Sequence, residues 1–188
     1  ADWLNMKFIL CALGCCLTLQ LMSAAEQAYP KTEVGRMEIK TLPAATLIAS
    51  RSDAPYFERN NGLFMPLFRY IQANDIAMTT PVESEMSPGI MYFYIGSADA
   101  SDELCSTETV SIEKRPERSV ASIGVRGSYS AENFQAAEQQ LAAWLKEHPK
   151  YVSAGAARGV FWNGPMMPGP FKRFEVHIPV AEIRSAQL

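Results

Sequence analysis

An internal repeat most strongly constrains the fold of this 188-residue chain. At a constant offset of 73 positions, as from Tyr56 to Tyr129, the first half aligns with the second half without a gap. Each half reads as a strand, a turn at a proline, a second strand and a helix. The sequence therefore predicts two copies of one unit, related by a pseudo-two-fold axis. The aligned pairs are Ile39 with Ile112, Pro43 with Pro116, Thr46 with Ser119, Tyr56 with Tyr129, Asn60 with Asn133, and Phe68 with Leu141.

Strands are predicted from short apolar or alternating runs bounded by turn residues. In the last of them, Phe174, Val176 and Ile178 alternate with Glu175 and His177. Because successive side chains of a strand point to opposite faces, this alternation predicts that His177, which lies opposite the apolar positions, faces solvent. The predicted strands cover residues 36–41, 45–50, 90–95, 109–114, 119–126, 156–163 and 171–180.

Two helices are predicted from apolar residues that recur every three or four positions. In the first, at 62–71, Pro66 lacks a backbone donor, so we expect a late start or a bend there. The second begins after Ser130, whose hydroxyl can cap it, and ends before Pro149. The apolar stripe of the second helix, which includes Phe134 and Leu141, is expected to pack on the sheet.

The segment Ile-Ala-Met-Thr-Thr-Pro-Val at 76–82 is interpreted as an extended join between the first helix and the sheet. Its two threonines can bond to the backbone, and Pro81 disfavours the helical conformation at Thr80. Together with the runs GLFMPLFRYI at 62–71 and PFKRFEVHIPV at 170–180, this segment resembles the SOUL/haem-binding protein family. The resemblance spans residues 34–180. It implies an α+β domain, in which a mixed, mainly antiparallel sheet forms a distorted barrel with two helices packed on it.

The first 28 residues are interpreted as a signal peptide or N-terminal extension, and residues 29–188 as a single domain. Met6 and Lys7 precede an apolar run that ends in small residues at 23–25, which is typical of a cleavable secretory signal. A retained anchor and a lipoprotein at Cys15 are the alternatives. The sequence thus predicts a periplasmic or secreted protein without stable membrane insertion after processing. Cys105 is then the one remaining cysteine, in a predicted loop, and no internal disulfide is expected.

Composition and motifs favour a binding protein over an enzyme. The net charge of −3 gives no reason to expect nucleic-acid binding. The chain lacks the usual hydrolase, zinc and nucleotide-binding motifs. The paired carboxylates Glu83 and Glu85, and the group Asp99, Asp102 and Glu103, are interpreted as solvated groups in polar loops. No catalytic residue is therefore assigned, and a monomer is expected.

The family resemblance implies a tetrapyrrole ligand, for which an apolar slot and nearby cations are needed. Neither His148 nor His177 is convincing as an axial ligand, so the sequence predicts weak, non-coordinating haem binding and no metal ligand. The slot is expected to have apolar walls from the first helix, the join and the late loop, with a cationic rim. The candidate walls are Phe64, Leu67, Phe68, Met78, Met166 and Met167, and the candidate rim residues are Arg69 and Lys172.

Three functions remain open from the sequence. The first is an exported tetrapyrrole buffer or carrier, which needs a flat apolar slot. The second is a binding module for apolar or cationic small molecules, since the fold resembles bacterial effector-binding domains, and this needs a rounder pocket with a buried carboxylate. The third is an interaction protein without a ligand, which needs a filled core and an exposed apolar patch.

Overall fold

The computed structural model describes residues 25–164 and 166–183, which form an α+β fold. Within these residues, no helix combines the length and apolar character needed to cross a membrane. A 3-10 helix, Gly169–Phe171, precedes the last strand. The other elements are β1 (Glu26–Gln27), β2 (Met37–Leu42), β3 (Ala45–Ser52), α1 (Tyr56–Ala73), β4 (Thr79–Thr80), β5 (Val82–Glu85), β6 (Gly89–Tyr94), β7 (Ser111–Arg115), β8 (Arg118–Arg126), α2 (Ala131–Lys146), β9 (Tyr151–Ser153), β10 (Arg158–Phe161) and β11 (Arg173–Glu182).

The sheet confirms the predicted duplication. Its strand order is β2-β8-β11-β10-β5-β6-β3-β7, with β9 added to β11, and every pair within it is antiparallel. The equivalent elements of the two halves are β2 and β7, β3 and β8, α1 and α2, β5 and β10, and β6 and β11. Exchanging each element for its equivalent reverses the main strand order, as a pseudo-two-fold axis between β5 and β10 requires. A separate parallel pair, β1 with β4, makes the fold mixed.

Two short connections show that the sheet is curled. The strands β2 and β3 lie six positions apart in the order, which is about 29 Å in a flat sheet. Only Pro43 and Ala44 separate them in the sequence, and the step from Leu42 to Ala45 spans at most about 11 Å. The same holds for β7 and β8, which are joined by Pro116 and Glu117. The edges must therefore approach one another, and the sheet forms the curled half-barrel that the prediction of a distorted barrel anticipated.

The curled sheet has two buried faces. Both helices pack on one face, which we call the helix side, where Leu67 of α1 and Leu141 of α2 are fully buried. The opposite face, which we call the inner face, carries a second apolar cluster that includes Tyr92, Tyr94 and Trp162. Because both faces are covered, polar side chains on the inner face are removed from water and need partners within the protein.

The prediction that His177 faces solvent is wrong. Glu175 and His177 do alternate with Phe174, Val176 and Ile178, but they are only 0% and 1% exposed on the inner face. The segment 28–34 crosses this face, and the backbone N–H of its Thr32 donates to Glu175 Oε1 over 2.8 Å. From the same segment, Tyr29 lies with its ring centroid 6.0 Å from that of His177. A distant part of the chain thus covers a face that strand periodicity alone assigns to water.

Of the two alternatives predicted for Pro66, a late start or a bend, the late start is wrong, because α1 begins at Tyr56 and contains Pro66 within it. Tyr56 is buried and stacks on Phe161 with ring centroids 5.5 Å apart, and its N–H donates to the Met86 carbonyl. This packing stabilises the first turns, so the local penalty of Pro66 does not set the helix boundary. In α2, the Ser130 hydroxyl accepts from the Asn133 N–H as predicted.

The segment 76–82 is the extended join that the sequence predicts. The Thr79 hydroxyl donates to the Tyr94 carbonyl over 2.5 Å, which ties β4 to the end of β6. The peptide bond between Thr80 and Pro81 is cis. The strand β5 begins at Val82 and pairs with β6, and its Glu83 lies on the inner face, where it is 1% exposed.

Gly124 of β8 offers a stringent test of how the N-terminal segment crosses the sheet. A Cβ added at Gly124 would lie 2.3 Å from the Glu33 carbonyl oxygen and 2.6 Å from the Thr32 carbonyl oxygen. We expect Gly124→Ala to lower the free energy of unfolding by about 3 kcal/mol, because two backbone groups would have to move. Urea unfolding followed by tryptophan fluorescence measures this.

The matched control is Gly62→Ala in α1, where an added Cβ meets nothing within 4 Å. We expect this change to raise the free energy of unfolding by about 0.5–1 kcal/mol, since alanine has less conformational freedom in the unfolded chain. Equal effects of the two substitutions would contradict the close approach at Gly124.

Candidate functional site

Three arginines converge on one buried carboxylate of the inner face. Glu83 Oε1 accepts from Arg115 Nη1 and Arg158 Nη1, each over 2.7 Å, and Oε2 accepts from Arg118 Nη2 over 2.9 Å. The Tyr94 hydroxyl also donates to Oε2. Burial raises the pKa of Glu83, but the three guanidinium groups lower it more, and the pKa falls to about 2. Glu83 is therefore ionised at neutral pH, with its oxygens fully engaged.

The fold explains why these arginines meet. Arg115 ends β7 and Arg118 begins β8, so the two are neighbours across the short turn that closes the curled sheet. Arg158 comes from β10, which pairs directly with β5, the strand of Glu83. Arg158 also contacts Glu85, with Nη2 and Oε1 2.9 Å apart, and Arg115 lies over the Tyr92 ring at 4.0 Å. Closure of the sheet thus assembles the cluster from both halves of the chain.

A second polar cluster surrounds Glu175. Lys40 Nζ donates to Oε2 over 2.6 Å, the Trp162 indole N–H donates to Oε1 over 2.8 Å, and His177 Nε2 lies 2.8 Å from Oε2. The Ser122 hydroxyl donates to Oε2 over 3.0 Å. Burial raises the pKa of Glu175, but these contacts lower it more, to about 2. Burial lowers the pKa of His177, against the opposing effect of Glu175, so the ring is neutral at pH 7.

A cavity of about 250 Å³ adjoins the Glu83 cluster. Its exposed rim is the segment 154–156, and its apolar wall is formed by Leu42, Val120 and Pro179. A second cavity, of about 540 Å³, lies between β1, the connection of β2 to β3 and residues 94–97. The charged residues that line the smaller cavity are Glu83, Glu85, Arg115, Arg118 and Arg158, and His177 lines it as well.

The candidate residues of the first helix lie on the helix side of the sheet. Phe64 and Phe68 are half-buried and stack with ring centroids 5.6 Å apart, and Arg69 beside them is exposed. Leu67 is fully buried beneath them in the core. Met78 is half-buried against the same core. Among the predicted slot residues, the structure thus brings Phe64 and Phe68 together as a partly exposed aromatic pair.

The remaining candidates form a separate group in the loop between β10 and β11. Met166 is 94% exposed and Met167 is 39% exposed. Lys172 Nζ lies 4.8 Å from the centroid of the Tyr129 ring, near the start of α2. Neither of these two cavities is lined by any of the predicted slot or rim residues.

Sequence reasoning missed the inner-face residues. The interpretation of Glu83 and Glu85 as solvated loop carboxylates is wrong, since both lie on β5 and Glu83 is 1% exposed. The sequence feature that could have identified them is alternation. Charged residues occupy every second position of β5, and polar residues occupy every second position in the first part of β11. By contrast, Asp102 and Glu103 are exposed as expected, and so is Cys105.

The arrangement suits hydrogen bonding to charged groups more than metal binding. Within the described residues, no group of three or more histidine, cysteine or carboxylate side chains is placed to hold a metal ion. The Glu83 cluster instead presents guanidinium donors, which match planar anions such as carboxylates.

Comparison with known proteins identifies a family and a fold. The family model described as SOUL heme-binding protein matches residues 25–179. No curated protein matches the chain significantly.

Among solved structures, the C-terminal domain of EcmrR superposes with a TM-score of 0.63 at 15% identity, covering 79% of this chain and 98% of that domain. EcmrR in an EcmrR–DNA complex gives a TM-score of 0.64 at 13% identity over 79% of this chain, which spans 58% of the EcmrR chain. A structure titled as a hydrolase from Listeria innocua gives a TM-score of 0.55 at 10% identity, covering 80% and 94% of the two chains. At these identities the likeness shows a shared fold.

Proposed function

Because this chain belongs to the SOUL haem-binding protein family, we propose that it binds a tetrapyrrole macrocycle at the partly exposed aromatic pair of α1. The observation that carries the proposal is the family match over residues 25–179. The stacked pair Phe64 and Phe68 supports the location, since a half-buried aromatic pair offers a flat apolar surface to a planar ring. The exposed Arg69 is suited to pair with a propionate.

Binding of this kind needs no iron ligand from the protein. His177 is buried on the opposite face of the sheet, where Glu175 holds it. His148 is half-buried with Nδ1 2.8 Å from the Trp144 carbonyl oxygen, at the end of α2. We therefore propose non-coordinating binding, so that iron-free porphyrin binds as well as hemin does.

The role we propose is that of an exported buffer or carrier and not of an enzyme. The secretory pattern of residues 6–25 supports export. The alternative of a module for cationic ligands is not favoured. The buried carboxylate that such a module needs is present as Glu83, but three guanidinium groups already form ion pairs with it.

A titration with hemin and with iron-free protoporphyrin tests the proposal. We expect saturable binding of both, seen in the Soret band and in tryptophan quenching. Phe68→Asp is expected to weaken both at least tenfold, or about 1.4 kcal/mol, because it removes an aromatic contact and adds a charge that must be desolvated.

The control for this substitution is Val152→Asp, which places the same charge at a 46% exposed apolar residue of β9. We expect its porphyrin affinity to equal that of the unmodified protein. Failure of both porphyrins to saturate would rule out the proposal. Equal weakening by the two aspartates would rule out the location on α1.

A further inference from the structure

The 250 Å³ cavity of the inner face has a charge surplus that its own residues do not balance. Three guanidinium groups, from Arg115, Arg118 and Arg158, line it together with two carboxylates, Glu83 and Glu85. His177 is neutral, so the lining carries one positive charge in excess. Outside the lining, Glu113 pairs with Arg115 but also with Arg51, so the excess of one positive charge remains when both are counted. An anion is therefore favoured in this cavity and a cation is disfavoured.

The hydrogen-bonding capacity of the lining also favours an anion over a cation. Both oxygens of Glu83 already accept two hydrogen bonds each, so Glu83 has little left to offer a ligand. Arg118 donates only through Nη2, and its buried Nη1 has no partner among the described residues. The side chains of Arg118 and Arg158 are 20% and 25% exposed, and both line the cavity. The cluster has spare donors and few spare acceptors.

His177, which also lines the cavity, has a second buried atom without a partner among the described residues. It is 1% exposed, and its Nδ1 has no partner within residues 25–164 and 166–183. Its Nε2 faces the Glu175 carboxylate, which can only accept, so Nε2 carries the proton and Nδ1 is an acceptor. A group that satisfies Nδ1 must therefore be a donor, such as a hydroxyl.

From these observations we infer that the inner-face cavity binds a small hydroxycarboxylate. Its carboxylate accepts from the guanidinium groups of Arg118 and Arg158, and its hydroxyl donates to His177 Nδ1. The volume of about 250 Å³ lies below the range of about 300–1,000 Å³ for drug-sized ligands, which favours a small molecule. This site lies on the opposite face of the sheet from α1 and is independent of tetrapyrrole binding.

A matched pair of ligands tests the chemistry. L-Malate and succinate share chain length and both carboxylates, and they differ by one hydroxyl. Isothermal titration at fixed ionic strength and pH 7.5 is expected to show saturable binding of L-malate, about threefold to tenfold tighter than that of succinate, as one neutral hydrogen bond provides. The absence of saturable L-malate binding would overturn the proposal. Equal affinity for the two acids would overturn the contact with His177.

A matched pair of variants tests the location. Ala156→Asp places a negative charge on the exposed rim of the cavity without changing any residue of the ion-pair cluster. Ala143→Asp makes the same change at an exposed position of α2. We expect at least a tenfold loss of L-malate affinity for Ala156→Asp and none for Ala143→Asp, with both variants folded by circular dichroism. Equal affinities of the two variants would overturn the assignment to this cavity.

The porphyrin-site variant separates this proposal from the proposed function. Phe68→Asp lies on the helix side and is expected to leave L-malate binding unchanged. Loss of L-malate binding in Phe68→Asp would overturn the assignment to the inner face, whatever the outcome of the porphyrin titration.

Discussion

Glu83→Gln is expected to lower the free energy of unfolding by about 3 kcal/mol, because it removes the charge that three arginines share. The side chains of Arg115, Arg118 and Arg158 are only 12%, 20% and 25% exposed, so water cannot fully replace the lost carboxylate. The amide nitrogen of glutamine, which is itself a donor, would also face the N–H groups of these arginines. Urea unfolding at pH 7, followed by tryptophan fluorescence, measures the change.

The matched control is Glu85→Gln, two residues along the same strand and on the same face. Glu85 has a 30% exposed side chain, one arginine partner at 2.9 Å and a hydrogen bond from the Tyr92 hydroxyl. Because solvent screens this pair, we expect a loss of about 1 kcal/mol. If both variants lost the same stability, the three-arginine cluster would contribute nothing beyond an ordinary surface pair.

Acidification is expected to destabilise the protein strongly, since two buried carboxylates have lowered pKa values. Glu83 and Glu175 each have a pKa of about 2 in the folded state, against an ordinary value of 4.5. The unfolded state therefore binds more protons in this range, so the stability from these groups is present above pH 4.5 and is lost as pH falls towards 2. At about 1.4 kcal/mol per pKa unit, each carboxylate contributes on the order of 3 kcal/mol.

His177 shifts the onset of this loss to higher pH. Burial lowers its pKa below the ordinary 6.5, so the folded state favours the neutral ring and the unfolded state takes up the proton first. Stability should therefore begin to fall as pH drops through about 6.5, and fall more steeply below 4.5. Neighbouring Lys40 also opposes protonation of this ring.

Urea unfolding at fixed ionic strength between pH 8 and pH 3 measures this dependence. Below pH 4.5 we expect the slope to exceed the one that His177 sets between pH 6.5 and pH 4.5, by an amount approaching two protons, and we expect the Glu83→Gln variant to lose about one of these two. A free energy of unfolding that stayed constant from pH 5 to pH 3 would contradict the buried, ionised state of both carboxylates.

The local pattern of the chain was sufficient for most of the elements. Alternation marked β11, the Ser130 cap marked the start of α2, and the offset of 73 paired the halves as the sheet pairs them. These features depend on neighbours within a few residues, or on a repeat that the chain carries twice. The beginning of α1 was misplaced because contacts of Tyr56 with Phe161 and Met86 outweigh the local effect of Pro66.

The inner-face site could not be predicted from the same patterns. Whether a polar residue of a strand faces water depends on what lies over that face, and here segment 28–34 covers β11 from more than 100 positions away. The meeting of Arg115, Arg118 and Arg158 at Glu83 depends on closure of the sheet by two short connections. By contrast, the stacked pair Phe64 and Phe68 lies within one helix, where residues four apart are neighbours, so sequence spacing alone could propose it.

The sequence by itself thus determined the duplicated unit, the two amphipathic helices and the family. Each of these depends on local periodicity or on motifs of neighbouring residues in the chain. Only the tertiary structure decided that the polar faces of β5 and β11 are enclosed. Enclosure removes water from Glu83, Glu175 and His177. These polar side chains must then find hydrogen-bond partners within the protein, and some buried atoms beside them, such as His177 Nδ1, have none among the described residues.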